Sequence, residues 1–251
     1  MAAAPPPVRI AVWSGPRNIS TAMMRAFENR PDAAVVDEPF YAAWLAFSGA
    51  DHPMRAEILA AQPTDWRAVA AALLGPVPGG RAIFYQKHMA HHVMPDMDLS
   101  WMDGCRSVFL IRAPEAVLAS YVVRRGGATL EDIGAVKLTE LFEREADRLG
   151  AAPPVIEAGD VLADPRGALG ALCAALGIPF DDRMLRWPPG RRATDGVWAP
   201  AWYDAVERST GFDAPRPAVA PETLAPELRA VADAAQPHYD RLAGFRLRWA
   251  G

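Results

Sequence analysis

Short apolar runs alternate with longer segments of mixed polarity along most of this chain. The apolar residues of each run stand next to one another rather than at helical intervals, which is typical of a strand that is buried on both faces of a sheet. The predicted strands are 10–13, 33–36, 81–86, 105–111 and 154–157. Strands separated by helices favour a mainly parallel sheet with helices on both faces. We therefore expect a three-layer α/β fold with a mainly parallel sheet of about five strands.

The segments between these strands carry apolar residues at helical spacing. The predicted helices begin at Ser20 and lie at 115–125, 130–149, 165–176, 202–209 and 226–242. Residues 41–75 have the same spacing, but Pro53 and Pro63 interrupt it. We interpret 41–75 as a helical insertion that shapes a binding pocket within a single domain of residues 1–251. Residues 1–7 are expected to form a frayed tail.

The first strand continues through a short loop directly into a helix. The loop and the start of the helix consist of Ser14, Gly15, Pro16, Arg17, Asn18, Ile19, Ser20 and Thr21. Backbone N–H groups at the start of a helix lack partners within the helix, so they attract anions. We therefore expect a phosphate or sulfate group to bind here. The alternative is a plain strand-to-helix turn in which Ser20 caps the helix.

This loop differs from the loop of ordinary nucleotide hydrolases. Their motif, G-x-x-x-x-G-K-[ST], needs a second glycine and a lysine. Counting from Gly15, those two positions hold Ser20 and Thr21, and Arg17 is the cation of the loop. The sequence therefore keeps an anion cradle without the residues that handle a γ-phosphate and magnesium.

Polar side chains also follow the next three predicted strands. Asp37 and Glu38 follow the second strand, Lys87 and His88 the third, and Arg112 the fourth. In a parallel sheet the ligand crevice lies beyond the carboxyl ends of the strands. The sequence therefore predicts that an anion cradle, a carboxylate, a Lys-His pair and an arginine meet at one edge.

Two motifs resemble those of the sulfotransferases that use 3′-phosphoadenosine-5′-phosphosulfate. Residues 16–21 stand where that family has Pro-Lys-Ser-Gly-Thr-Thr, and Arg112-Ala-Pro114 is followed by Ser120 at the spacing of the family's second motif. Weaker likenesses are Glu38-Pro39-Phe40 and the arginine-rich loop at 189–198. The resemblance extends over residues 8–212 and implies the P-loop nucleotide-kinase-like fold of sulfotransferases.

The resemblance also implies where the donor binds. The residues implied for its 5′-phosphosulfate are Ser14, Gly15, Pro16, Arg17, Asn18, Ser20 and Thr21. Arg112 and Ser120 are implied for the 3′-phosphate, and Arg191 and Arg192 close over the same phosphate from the late loop. The alternatives are a surface pair between Arg112 and Glu115, a helix serine bonded to its own turn, and a solvated late loop.

Transfer of a sulfuryl group needs a base for the acceptor and positive charge on the transferring oxygens. Glu38 is our first choice of base, because a strand end in a partly apolar setting raises a carboxyl pKa. His88 is the second choice. Lys87 and Arg17 are expected to neutralise the sulfonate. The alternative for Glu38 is that it caps a helix beginning at Pro39.

His88, His91 and His92 could be metal ligands, since His88 and His92 are one helical turn apart, but no carboxylate or thiol that would complete the ligand set is evident near them in the sequence. We therefore expect no metal, and the phosphosulfate donor as the only cofactor. The alternatives to a sulfotransferase are a nucleotide kinase or hydrolase of similar fold, and a non-catalytic nucleotide-binding module.

Composition limits the partners. The chain has 251 residues, 51% of them hydrophobic, and a net charge of −4, which argues against nucleic acid. No apolar run approaches the roughly 20 residues of a membrane helix, and the start lacks the pattern of a secretion signal. Cys105 and Cys173 favour buried thiols in a reducing cytoplasm. We expect a cytoplasmic enzyme with a small-molecule acceptor, and the oligomeric state stays open.

Overall fold

The computed structural model describes residues 5–215 and 217–250, and its centre is a five-stranded parallel sheet. The strands are β1 (Val8–Ser14), β2 (Ala33–Asp37), β3 (Ile83–Met89), β4 (Arg106–Ile111) and β5 (Val155–Glu157). They lie in the order β2-β3-β1-β4-β5, and every neighbouring pair is parallel. The predicted α/β fold is confirmed. Residues 1–4 of the predicted tail lie outside the described residues.

Helices cover both faces of the sheet. They are α1 (Ser20–Glu28), α2 (Tyr41–Ser48), α3 (Arg55–Ala61), α4 (Trp66–Leu74), α5 (Pro114–Arg125), α6 (Ala135–Leu149), α7 (Ala158–Ala163), α8 (Pro165–Ala175), α9 (Ala199–Trp202), α10 (Asp204–Arg208) and α11 (Pro226–Ala243). Within the described ranges, none of them is both long and apolar enough to cross a membrane.

The start of α6 and the presence of α7 differ from the sequence prediction. Helix α6 begins at Ala135 rather than at residue 130, because Thr129 and Asp132 hold a turn through mutual hydrogen bonds and Gly134 has a φ of 67°. Helix α7 was not predicted. The Glu157 side chain accepts the Asp160 N–H at 2.9 Å and so starts this short helix directly after β5.

The sheet separates two hydrophobic cores. Ala11 and Trp13 of β1 pack into one core, and Ile10 and Val12, which alternate with them, pack into the other. This alternation is the ordinary consequence of strand geometry, and it explains why the strand is apolar throughout. Because β1 lies between β3 and β4, the loop after β1 lies between the carboxyl ends of those two strands.

Candidate functional site

The loop between β1 and α1 is bent and held by the end of β4. Arg17 and Ile19 have φ values of 57° and 49°, a region that a β-branched residue rarely adopts. The Asn18 amide donates to the Leu110 carbonyl at 2.7 Å, and Arg112 Nη1 donates to the Arg17 carbonyl at 2.6 Å. Contacts with β4 and the residue beyond it therefore support backbone conformations that would otherwise be unfavourable.

The base of this loop is packed tightly. Ser14 is fully buried, and its hydroxyl lies 3.9 Å from Met89 Sδ. A Cβ added at Gly15 would overlap the Ile133 carbonyl oxygen, so this close approach requires glycine. Gly15 borders a small secondary cavity of about 50 Å³. Ser14 and Gly15 thus fix the start of the loop by close packing against Met89 and Ile133.

A cavity of about 260 Å³ opens at the carboxyl edge of the sheet. The sequence-predicted residues that line it are Pro16, Arg17, Asn18, Ser20, Thr21, Glu38, Lys87, Arg112 and Ser120. These residues come from the ends of four strands and from helices α1 and α5. The structure therefore brings together most of the residues that the sequence singled out.

Arg17, Arg112 and Ser120 form the basic end of this cavity. Arg17 Nε donates to Ser120 Oγ at 2.9 Å, and Arg112 donates to the backbone carbonyl of Arg17. Two guanidinium groups beside the N-terminus of α1 make this end suitable for an anion with more than one phosphate or sulfate group.

A buried ion network lies beside this basic end. Lys87 Nζ is 2.8 Å from Asp37 Oδ1, 2.5 Å from Glu38 Oε1 and 3.0 Å from the Tyr203 hydroxyl. Burial disfavours the charged form of Lys87, but the charges of Asp37 and Glu38 outweigh it and raise its pKa well above the ordinary value. Lys87 is therefore a cation at physiological pH.

Glu38 has the features of a general base. Its side chain is 12% exposed and borders the cavity. Burial raises its pKa, the charge of Asp37 adds to this, and Lys87 opposes both. The backbone of Glu38 has a φ of 39°, and its carbonyl accepts the Tyr41 N–H at 3.1 Å, just before α2 begins. A carboxyl with a raised pKa in a cleft is a candidate for proton transfer.

His88 lies on the other face of the sheet from Lys87. Its ring stacks on Trp13 at 4.4 Å and lies near Phe40 and Trp101, within the hydrophobic core. Burial, with the charge of Lys87, lowers the pKa of His88 to about 3. His88 is not among the described residues that line the cavity. Consecutive residues of a strand face opposite sides of the sheet, so His88 points away from the side to which Lys87 points. The geometry gives the His88 hypothesis no support.

Arg191 and Arg192 also lie away from the cavity lining described here. Arg191 is 3.8 Å from Glu207, and Arg192 is 3.9 Å from Glu28 and donates to the Pro188 carbonyl. The late loop is held against α1, where the buried Arg25 is paired with Asp195 at 2.7 Å. In this structure the two arginines thus contact Glu207, Glu28 and Pro188 and are not among the described residues that line the cavity with Arg112 and Ser120.

A wall of aromatic and imidazole rings faces the same cavity, and part of it comes from residues 41–75, the segment predicted to shape a binding pocket. Tyr41, His52, His91 and His92 line it. The Tyr41 hydroxyl shares a hydrogen bond of 2.7 Å with His52 Nδ1, and the Tyr41 ring stacks on His92 at 4.6 Å. Burial lowers the pKa of His52 to about 4 and that of His91 to about 3. These imidazoles are neutral at physiological pH.

Other lining residues come from distant parts of the chain. Leu162 of α7 and Phe212 add apolar surface, and Tyr203 adds a hydroxyl beside Lys87. No local signal marks Tyr203, which is separated from Lys87 by 116 positions. The described ranges contain no group of three or more His, Cys, Asp or Glu residues that could hold a metal ion.

The parallel sheet, with a basic cleft at its carboxyl edge, defines a doubly wound α/β protein with a ligand site at the usual position for that fold. Residues 8–244 match the family model described as a sulfotransferase domain. The chain belongs to this sulfotransferase family, which confirms the resemblance found in its sequence motifs.

Two relatives from Arabidopsis thaliana are similar to this chain. It is 33% identical to the branched-chain-amino-acid aminotransferase-like protein 2 over 207 residues, which are 82% of this chain and 36% of that protein. It is 35% identical to the branched-chain-amino-acid aminotransferase-like protein 1 over 210 residues, which are 84% of this chain and 37% of that protein. The chain thus spans just over a third of the length of these relatives, and their names describe the longer proteins.

Solved sulfotransferases share the fold. A sulfotransferase from Alicyclobacillus acidocaldarius matches with a TM-score of 0.57 and 15% identity over 96% of each chain. The sulfotransferase domain from the curacin biosynthetic pathway matches with a TM-score of 0.50 and 15% identity over 93% of this chain and 99% of that one. At this level of identity, the likeness to these structures shows a common fold.

Proposed function

We propose that this protein transfers a sulfuryl group from 3′-phosphoadenosine-5′-phosphosulfate to a hydroxyl or amine of a small acceptor, without a metal ion. The observation that carries the proposal is the contact between Glu38 and Lys87 in a cavity whose other end holds Arg17, Arg112 and Ser120. A base and a cation thus lie beside a site suited to a polyanionic donor.

The donor would occupy the basic end of the cavity. The backbone N–H groups of the loop, with the hydroxyls of Ser20 and Thr21, suit the 5′-phosphosulfate. Arg112 and Ser120 suit the 3′-phosphate. The apolar surface of Leu162 and Phe212 suits the purine base. In this arrangement Ser14 and Gly15 shape the loop rather than contact the donor.

The reaction needs one proton transfer and one displacement. Glu38 takes the proton of the acceptor group, whose oxygen or nitrogen attacks the sulfur in line with the bridging phosphate oxygen. The bond between sulfur and that bridging oxygen breaks, and its electron pair leaves with 3′,5′-adenosine bisphosphate. Lys87 and Arg17 stabilise the negative charge on the sulfuryl and leaving oxygens.

Nucleotide binding tests the donor assignment. We expect 3′,5′-adenosine bisphosphate to bind more tightly than magnesium-ATP in calorimetry. Arg112→Ala weakens that binding by about 10- to 100-fold, because a charge-assisted hydrogen bond contributes about 1.5–3 kcal/mol. Arg67→Ala, on an exposed arginine of α4, leaves binding unchanged. Tighter binding of magnesium-ATP would instead support a nucleotide kinase or hydrolase.

Turnover tests the catalytic part. A radiolabelled donor incubated with a small-molecule extract yields a sulfated product and 3′,5′-adenosine bisphosphate in equal amounts. Bound nucleotide without any labelled product would identify a non-catalytic nucleotide-binding module and overturn the proposed transfer.

The imidazole wall predicts the charge of the acceptor. Because His52, His91 and His92 are neutral, the wall offers a charged acceptor no counter-ion, and burying an unpaired charge is costly. Among phenols with a methyl, carboxylate or aminomethyl group in the para position, we expect the methyl compound to have a kcat/KM at least about tenfold higher. Equal kcat/KM values across the series would contradict this expectation.

A further inference from the structure

Lys87 has no spare hydrogen-bond donor. An ammonium group carries three N–H donors, and the oxygens of Asp37, Glu38 and Tyr203 lie 2.8, 2.5 and 3.0 Å from its nitrogen. These three oxygens account for all three donors. A sulfuryl oxygen can therefore contact Lys87 only if it replaces one of the oxygens already present.

Two of the three oxygens are held in place by further contacts. The Tyr203 hydroxyl donates to Asp37 Oδ2 at 2.6 Å and accepts the Trp198 indole N–H at 3.2 Å. Asp37 Oδ2 also accepts the backbone N–H of Gly196 at 3.3 Å. The side chains of Asp37 and Lys87 are each only 1% exposed. Neither Asp37 nor Tyr203 can move away without breaking several buried hydrogen bonds.

Glu38 is the ligand of Lys87 that can move. Its side chain is the more exposed of the two carboxylates, and it borders the cavity where the acceptor and the sulfuryl group would meet. Rotation of its side chain breaks the contact with Lys87 and leaves the bonds between Asp37 and Tyr203 intact. Of the three oxygens, the Glu38 oxygen is therefore the one that a sulfuryl oxygen can replace with the fewest buried hydrogen bonds broken.

We propose that Tyr203 is a positioning residue. Together with Asp37 it fixes Lys87 at the edge of the cavity, so that the arriving sulfuryl group displaces Glu38 from Lys87 and frees the Glu38 carboxylate to accept the proton of the acceptor. This inference rests on the proposed sulfuryl transfer. Its consequence is that the base becomes available only when the donor is bound.

A matched pair of tyrosine variants tests the role of Tyr203. Tyr203→Phe removes the hydroxyl that contacts Lys87. Tyr85→Phe removes a buried hydroxyl of β3, the strand that carries Lys87, and this hydroxyl has no hydrogen-bond partner among the described residues. We expect Tyr203→Phe to lower kcat by about tenfold or more, as the loss of a hydrogen bond to a charged group does. The KM for the donor stays within about twofold, and Tyr85→Phe matches the unmodified protein.

The pH profile gives a readout that a purely structural role would not change. Asp37, Lys87, Tyr203 and Tyr41 surround Glu38, and the charge of Asp37 raises the pKa of Glu38. Without the Tyr203 hydroxyl that charge is less compensated. The acid limb of kcat therefore moves to higher pH in Tyr203→Phe and stays in place in Tyr85→Phe.

Proton uptake on donor binding tests the exchange without relying on Tyr203→Phe to fold. When the sulfuryl group displaces Glu38 from Lys87, the pKa of Glu38 rises, so binding of the intact donor is accompanied by the uptake of as much as about one proton per site near that pKa. Binding of 3′,5′-adenosine bisphosphate, which has no sulfuryl group, takes up none. Calorimetry in buffers of different ionisation enthalpy measures both, and Glu38→Gln removes the difference.

The outcomes separate this inference from the proposed function. If Glu38→Gln keeps its turnover, the assignment of the base fails. If Glu38→Gln loses turnover but Tyr203→Phe has the kcat and pH profile of Tyr85→Phe, the positioning role of Tyr203 is overturned. Equal proton uptake with donor and bisphosphate overturns the exchange at Lys87.

Discussion

Glu38→Gln lowers kcat for sulfuryl transfer by about 10³-fold, within the range that general-base catalysis contributes. The amide keeps the size of the side chain but cannot accept the acceptor's proton. Donor affinity does not fall by more than about twofold, since the groups proposed to hold the donor's phosphates are Arg112, Ser120 and the loop after β1. Single-turnover measurements with a radiolabelled donor, combined with calorimetry, separate the two quantities.

Glu157→Gln is the matched control for this substitution. Glu157 also ends a strand, and burial also raises its pKa, but it caps α7 and is not among the described lining residues of the cavity. Glutamine keeps the oxygen that accepts the Asp160 N–H, so kcat stays within about twofold. A Glu38→Gln variant with more than a tenth of the original kcat would show that another group removes the proton.

The pH dependence follows from the same carboxyl. Burial raises the pKa of Glu38, and a general base acts only when it is deprotonated. We therefore expect kcat to fall as pH decreases through an apparent pKa above the usual glutamate value of about 4.3. The residual activity of Glu38→Gln lacks this limb. A limb that persists in Glu38→Gln would assign it to a different residue.

The sequence was sufficient for the sheet and for the motifs at its carboxyl edge. The apolar strand pattern and the spacing from Arg112 to Ser120 can be recognised locally in the sequence. Because the carboxyl ends of parallel strands lie at one edge of the sheet, residues that follow different strands become neighbours in space. The contact between Arg17 Nε and Ser120 Oγ joins two motifs that were recognised separately.

The local sequence pattern was less informative where the direction of a side chain or a tertiary contact determines whether a residue belongs to the site. His88 directly follows Lys87, and the alternation of a strand sends the two side chains to opposite faces. The predicted strand ended at residue 86, and it is the continuation of β3 to Met89 in the structure that turns His88 away from the cleft that holds Lys87. Tyr203 is different, because its position depends on how the late part of the chain packs on β2 and β3.

The loop after β1 shows how the fold can override local preference. Ile19 stands where the resembling family has glycine, and its φ of 49° is the conformation that glycine adopts most easily. The hydrogen bonds from Asn18 and Arg112 stabilise the loop in this shape. At Ile19 the contacts of the fold therefore hold a β-branched residue in a conformation that favours glycine.

Lys87→Met destabilises the protein by about 3–5 kcal/mol, because removing one partner of a buried ion pair leaves the other charged. Here Asp37 and Glu38 would face each other without a cation. Urea unfolding measures the loss. Lys137→Met replaces the other lysine of the chain, which is 35% exposed and paired with Glu140, and changes the free energy of unfolding by about 0.5 kcal/mol or less.

The cost of Lys87→Met depends on pH in a defined direction. In the variant, protonation of Glu38 removes one of two neighbouring buried charges, so the destabilisation is smaller at about pH 4 than at about pH 8. Adding Asp37→Asn to Lys87→Met removes the other charge and restores part of the lost stability at the higher pH. A loss that is the same at both pH values, or unaffected by Asp37→Asn, would mean that packing around the Lys87 side chain, rather than charge, stabilises this end of the sheet.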